Sequence, residues 1–239
     1  MRRPIQALLA SLAFTSVPSV AMADLSFNVG GVTDYRYRGI SQSRLKPAVQ
    51  GGLDFSAGGF YLGAWASSIK WIKDAGGGNA STEIDLYGGY KGELAKDFSY
   101  DIGVLTYQYP SNKFKPKAET TELYAAITFG VTTVKYSHAV TNTFANTDSK
   151  NSYYLDISAA FDLGFATLTP HIGHQGIKGP LAAPASYTDY SLTLSKDING
   201  LVLSAAVVGT DASKTFYSSP VNGKALGKST LVLGVKYNF

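Results

Sequence analysis

An alternation of two connection lengths constrains this chain more than any other feature. Segments with a residue-to-residue alternation of apolar and polar side chains follow one another from residue 25 to the end. They predict strands at 25–38, 47–56, 59–68, 82–93, 97–109, 119–129, 131–140, 152–162, 165–174, 186–196, 200–210 and 229–239, each near the ~10 residues of a tilted membrane strand. Every second link is short: Ala57-Gly58, Leu94-Ala95-Lys96, Gly130, Leu163-Gly164 and Asp197-Ile198-Asn199. The others are long and polar, at 39–46, 69–81, 110–118, 141–151, 175–185 and 211–228. A soluble sandwich has no reason to keep such an alternation, whereas a barrel threaded through a bilayer does. The expectation is an all-β chain: a closed antiparallel transmembrane β-barrel of about 12 strands, with short periplasmic turns and long extracellular loops. An even strand count puts both ends of the barrel on the short-turn side.

The two faces of the strands differ in kind. In 82–93, Ile84, Leu86, Gly88 and Tyr90 oppose Asp85, Tyr87, Gly89 and Lys91. In 119–129, Leu123, Ala125, Ile127 and Phe129 oppose Glu122, Tyr124, Ala126 and Thr128. The charged face collects Asp34, Arg36, Arg38, Asp54, Asp85, Lys91, Asp101, Glu122, Lys135, Asp156, Asp189 and Lys236. Each basic residue on lipid near the midplane would cost about 2–4 kcal/mol, and acidic ones less. The sum, on the order of 20 kcal/mol, exceeds the ~5–15 kcal/mol stability of a typical domain. In a membrane the charged face must therefore be the lumen, and these residues are the candidates for pore lining and selectivity.

Aromatic residues mark the short-turn end. Phe27, Phe55, Phe60, Tyr90, Phe98, Phe129, Phe161, Tyr237 and Phe239 lie there, nearly all on the apolar face. That is the pattern of an interfacial girdle. The final strand closes on Phe239, which resembles the signal that the outer-membrane barrel-assembly machinery reads. Strand 165–174 fits least well, because Pro170 cannot donate to a ladder and predicts a bulge.

The start of the chain predicts export. Met1-Arg2-Arg3 is basic, Ile5 to Val17 is mostly apolar, Pro18 interrupts, and Ala21-Met22-Ala23 has small residues in the cleavage positions. Residues 1–23 read as a signal peptide cleaved after Ala23, and 24–239 as the outer-membrane barrel. The apolar run is shorter than the ~20 residues of a membrane helix. The chain has 21 basic and 17 acidic residues, and two of the basic ones, Arg2 and Arg3, leave with the leader. That near balance gives no nucleic-acid-binding surface. The absence of cysteine excludes disulfide and thiol chemistry.

The segment Asp34-Tyr35-Arg36-Tyr37-Arg38-Gly39-Ile40-Ser41-Gln42 resembles the hallmark of the TorF-type porins, a family of conserved outer-membrane proteins. So do Lys46-Pro47-Ala48-Val49-Gln50-Gly51-Gly52-Leu53-Asp54-Phe55, Gly59-Phe60-Tyr61-Leu62-Gly63-Ala64-Trp65, Glu83-Ile84-Asp85-Leu86-Tyr87-Gly88-Gly89-Tyr90 and Asp101-Ile102-Gly103-Val104-Leu105 with Tyr109-Pro110. Shorter matches follow at Glu122-Leu123-Tyr124 and Tyr187 to Leu192, so the likeness covers essentially the mature chain. It implies an outer-membrane barrel with an assumed pore and supplies no substrate.

The function expected from these features is passive diffusion of small hydrophilic solutes across the outer membrane, without cofactor, metal or catalysis. Arg36 and Arg38, two apart, would face the lumen near the extracellular mouth with Asp34. Asp85, Glu122 and Asp189 would oppose them at similar height, giving a constriction with a basic and an acidic side. A salt-bridge network that fills the interior is the structural alternative. Lysines and Arg44 in the long loops suggest contact with the lipid bilayer surface and lipopolysaccharide phosphates. Two rivals stand beside the channel. One is a non-conducting structural or adhesion barrel, occluded by inward Tyr61, Tyr87, Tyr107, Tyr124 and Tyr154. The other is an outer-membrane enzyme, disfavoured because His138 and its neighbour Ser137 point to opposite faces.

Overall fold

The computed structural model describes residues 23–239. The leader expected at 1–23 and its export role lie outside the described residues, apart from Ala23. Twelve long strands build the molecule: β1 Asp24–Val32, β2 Ala48–Ala57, β3 Phe60–Ser68, β4 Thr82–Ala95, β5 Phe98–Gln108, β6 Thr120–Phe129, β7 Thr132–Ala139, β8 Tyr153–Ala159, β9 Thr167–Gly176, β10 Tyr187–Ile198, β11 Leu201–Thr210 and β12 Thr230–Asn238. Phe161–Asp162 continues the line of β8 against β9. Each strand pairs antiparallel with its neighbours in the chain, and β1 also pairs with β12, Asn28 lying opposite Asn238. The sheet is thereby closed and no strand edge is left unpaired, the condition for strands in lipid. No helix among the described residues is long and apolar enough to cross a membrane.

The apolar parity faces out on every strand. Leu86, Ile127, Leu155 and Leu233 are 47, 49, 38 and 48% exposed, although each sits mid-sheet and flanked by paired strands. Asp85, Glu122 and Asp156 point the other way, and Glu122 is buried. A water-soluble barrel would invert this arrangement, because apolar surface on that scale is unfavourable in water. The outside is a lipid-facing surface. Several of the aromatic residues expected at the short-turn end meet in pairs. Phe27 stacks on Phe239 with ring centroids 5.8 Å apart, Phe60 meets Tyr90 edge-on at 4.7 Å, and Phe98 meets Phe129 at 6.3 Å. Tyr237 lies over Phe239 at 6.0 Å, and Phe55 and Phe161 are exposed on the same face.

Inside, tyrosine rings lie across glycines of the neighbouring strand. Gly63 is directly opposite Tyr87, and Gly103 opposite Tyr124. A methyl group at Gly103 would come within 2.6 Å of Tyr124 Cζ, so only glycine leaves room for the ring to lie flat. This is how a narrow lumen accepts so many tyrosines.

Two sequence expectations need correction. The first strand does not run to residue 38; it stops at Val32, and the chain turns into the lumen. From Asp34 the chain finds its partners within the segment, the Gln42 N–H donating to the Tyr35 carbonyl at 2.8 Å and Arg36 pairing with Ser41. Pro170 makes no bulge either. Ser158 pairs with His171 and Phe161 with Leu168, the same register on both sides of the proline. The missing N–H only interrupts the ladder around Ala160, while pairing with β10 runs through unbroken, Pro170 opposite Leu192.

Candidate functional site

Residues 33–47 fold into the extracellular half of the barrel and cross it. A two-rung ladder joins Arg36–Tyr37 to Ile40–Ser41, with the turn at Arg38 (φ 46°) and Gly39 (φ 78°). Gly39 is seated against the wall. A side chain there would need left-handed backbone, and its Cβ would lie 2.7 Å from Asp189 Cβ.

Asp34, Arg36 and Arg38 are thus in the lumen, but on this inserted segment and not on a strand. Asp34 is buried and gathers its partners locally. Arg36 Nε donates to its Oδ2 at 2.6 Å, and the Ser41 hydroxyl donates to its Oδ1 at 2.5 Å. Arg36 Nη1 donates to the carbonyls of Gly39, Leu226 and Lys228 at 2.8, 2.9 and 3.1 Å, which fastens the segment to the last long loop. Arg38 reaches the wall. Its Nη2 donates to Glu122 Oε2 on β6 at 2.6 Å and its Nη1 to Gln175 Oε1 on β9 at 2.5 Å. Its guanidinium also lies 4.2 Å from the centre of the Tyr154 ring. Tyr35 closes the other side, donating to Glu83 Oε1 on β4 at 2.5 Å and packing edge-on against Trp65.

Opposite charges here meet in pairs. The basic and acidic sides expected at this height do not form, because Arg36 and Arg38 are neutralised in place by Asp34 and Glu122. Desolvated charges of opposite sign attract strongly at contact. Asp189 is close by, accepting from the Tyr154 hydroxyl at 2.9 Å. Asp85 belongs to the same wall, but its buried Oδ1 has no hydrogen-bond partner among the described residues.

The remaining lumen residues lie on the strands as expected. Tyr61 and Tyr124 join hydroxyls over Gly89 and Gly103, cross-strand partners on the intervening β4 and β5, and Tyr61 donates to Asp101 at 2.5 Å. Tyr87 donates to Asp54 at 2.6 Å. Lys91 faces Asp101 and Lys135 faces Asp156 as direct cross-strand partners. Lys135 also lies 3.9 Å from the centre of the Tyr124 ring. His171 Nε2 is 2.7 Å from Asp156 Oδ2. Lys236 lines a small cavity in the lumen with Asn28, Gln50, Trp65, Ser195 and Ser204. Glu83 was missed in the sequence, although it shares the parity of Asp85.

Above the inserted segment the long loops enclose a vestibule of about 340 Å³. One wall carries Trp71, Tyr109 and Phe114, with Trp71 edge-on to Tyr109 at 5.5 Å and stacked on Phe114 at 6.1 Å. The other carries Tyr187, Phe216 and Tyr217, with rings 5.1 and 5.0 Å apart. Arg44 is bound to both carboxylate oxygens of Asp74, its Nε donating at 2.6 Å. These bonds raise the Arg44 pKa from its ordinary value, so the guanidinium stays charged and paired. Burial raises that of Tyr217, which donates to the Ala185 carbonyl at 2.7 Å. Around the rim, Lys46, Lys70, Lys73, Lys113, Lys115, Lys117, Lys150, Lys178, Lys214, Lys224 and Lys228 are all exposed.

On the lipid face, His138 meets Tyr136 Oη at 3.3 Å and Asn151 Oδ1 at 3.2 Å. Ser137 faces the lumen and is buried, pointing away from this imidazole and amide. His171 and His174 lie on opposite faces, His174 beside Thr188 at 3.1 Å.

Solved structures similar to this chain are outer-membrane barrels. An outer membrane channel from Pseudomonas putida F1 is 14% identical with a TM-score of 0.48, the match covering 93% of this chain and 96% of that one. Outer membrane phospholipase A from Escherichia coli is 16% identical with a TM-score of 0.47, covering 90 and 89%. The outer membrane protein OprD from Pseudomonas aeruginosa is 13% identical with a TM-score of 0.42; the match covers 90% of this chain, which spans only 65% of OprD. No curated protein matches the sequence. A family model does, over residues 18–239: the chain belongs to the family described as "Bacterial protein of unknown function (Gcw_chp)".

Proposed function

Starting from that membership, we propose that this Gcw_chp protein is a selective outer-membrane channel for small hydrophilic solutes, closed by residues 33–47 in the conformation described. The observation that carries this reading is the lumen wall. Charged groups continue below the inserted segment to the short-turn end, at Asp54, Lys91, Asp101, Lys135, Asp156 and Lys236. A barrel that only had to be stable would gain more from filling that volume with apolar side chains than with desolvated ions. The closing element is held by hydrogen bonds and ion pairs to the wall, contacts that water can replace when the segment moves. Solute would enter by the vestibule, pass where Arg38 now bridges Glu122 and Gln175, and leave along the charged lower wall.

The same reading includes the resemblance to TorF-type porins, export by the leader at 1–23, and delivery to the barrel-assembly machinery through the strand ending at Phe239. The aromatic girdle would sit at the periplasmic interface, and the lysine rim against lipopolysaccharide phosphates. On this reading the protein acts without catalysis; Ser137, the chain neighbour of His138, is buried on the lumen side.

One observation favours a second reading, the non-conducting barrel: Arg38 and Glu122 have only 7 and 2% of their side chains exposed, and tyrosines meet beneath them. Single-channel recording in planar bilayers separates the two. The channel reading expects small, infrequent openings for the natural protein and larger, frequent ones for Arg38→Ala/Arg36→Ala. Silence from both would leave the structural barrel.

A further inference from the structure

The vestibule has a chemistry of its own, and it deepens the channel reading, on which it rests, by naming what enters. Two aromatic walls face each other across about 340 Å³, within the ~300–1,000 Å³ of small-molecule sites. Trp71 and Phe114 stand on one side, Phe216 and Tyr217 on the other. Between them the lining is apolar at Ile40, Phe144, Ile177 and Leu226, and polar and uncharged at Gln42, Asn146 and Gln175. The charged side chains of the lining, Arg44 and Asp74, are bound to each other by two hydrogen bonds and cancel. Trp71 Nε1–H is buried and has no acceptor among the described residues. An unmatched buried donor is costly, and a ligand oxygen would satisfy it.

These features select among ligands. Within the lining a free anion or cation finds no unpaired charge of opposite sign, the exposed lysines standing on the rim outside it. A purely apolar molecule would desolvate the amides and leave the indole N–H unmatched. A flat ring with polarised C–H groups on its faces and hydroxyls around its edge fits both parts: C–H faces pack on the electron-rich ring faces, and hydroxyls bridge to amides, carboxylate and guanidinium. We infer that the vestibule is a binding site for an uncharged carbohydrate of one or two sugar rings, held between the Trp71 and Tyr217 walls with an oxygen accepting from the indole N–H.

The chain has two tryptophans, Trp65 and Trp71, so Trp71 can report on its own site. The test uses the full barrel, folded in a detergent without a sugar headgroup, with folding checked by the gel shift between heated and unheated samples. Emission is followed in the natural protein, in Trp65→Phe and in Trp71→Phe during titration with maltose, cellobiose, sodium benzoate and tetramethylammonium chloride. At least one disaccharide should give a saturable change in the natural protein and in Trp65→Phe, absent from Trp71→Phe and weakened about tenfold or more by Tyr217→Ala. If Trp65→Phe fails to fold, the difference between the natural protein and Trp71→Phe carries the same information. No saturable response to either disaccharide, or tighter binding of benzoate or tetramethylammonium, overturns the inference. Saccharide binding by a barrel that stays silent in bilayers would keep the site and remove the channel. Conductance without saccharide binding would do the reverse.

Discussion

Arg38 Nη2 and Glu122 Oε2, 84 residues apart in the chain, stand 2.6 Å from one another where the inserted segment meets the barrel wall. Both side chains are almost wholly shielded from solvent. Stranding one of two buried charges costs about 3–5 kcal/mol, whereas removing both costs far less. Arg38→Ala should therefore lower the guanidinium midpoint of the barrel in lipid vesicles, and Arg38→Ala/Glu122→Gln should recover part of the loss. Equal losses in the single and double variants would show that the stranded carboxylate is not the source.

Gly39 is where the segment reverses, with φ of 78° and no room beyond its α-carbon. Gly39→Val should dislodge the turn while leaving the strands paired. Trypsin then gains access to Arg36 and Arg38, which the closed segment protects. Cleavage no faster than in the natural protein would mean that this turn does not hold the segment in place.

The bilayer reading makes a depth-dependent prediction. Leu192 faces outward near the middle of β10, and Thr132 faces outward at the short-turn end of β7. Arginine at Leu192 should cost about 2–4 kcal/mol of folding free energy in vesicles, and at Thr132 about 0–1 kcal/mol. The two costs would be alike if water covered both positions.

Gly103 makes space for Tyr124. Overpacking a filled interior costs about 1–3 kcal/mol. Gly103→Val should lose stability on that scale, and the loss should shrink when Tyr124→Ala is added, because the ring clash is then relieved while the one with the Gly88 carbonyl, 2.6 Å from the new Cβ, stays. Additive losses in a double-mutant cycle would contradict the ring-over-glycine contact.

The sequence alone determined the barrel. Period-2 alternation needs only the direction of successive side chains, and the lengths of links need only counting, so β2 to β12 fall within two residues of their expected starts and three of their expected ends. The face of Asp54, Asp85, Asp101, Glu122, Lys135, Asp156, Asp189 and Lys236 followed from the same parity, as did the clustering of Phe27, Phe60, Phe98, Phe129 and Phe239 at one end. What only the tertiary structure decided is the state of the passage. Asp34, Arg36 and Arg38 sit two apart like strand residues, and nothing local distinguishes a strand that continues from one that stops at Val32. The wall and loop partners of the two arginines, Glu122, Gln175 and the Leu226 carbonyl, are 84, 137 and 190 residues away. Pairing at such separation depends on the closed ring that brings β6, β9 and the last loop around one axis. The vestibule has the same origin: Trp71 and Tyr217 become opposite walls only once the strands beneath them have closed.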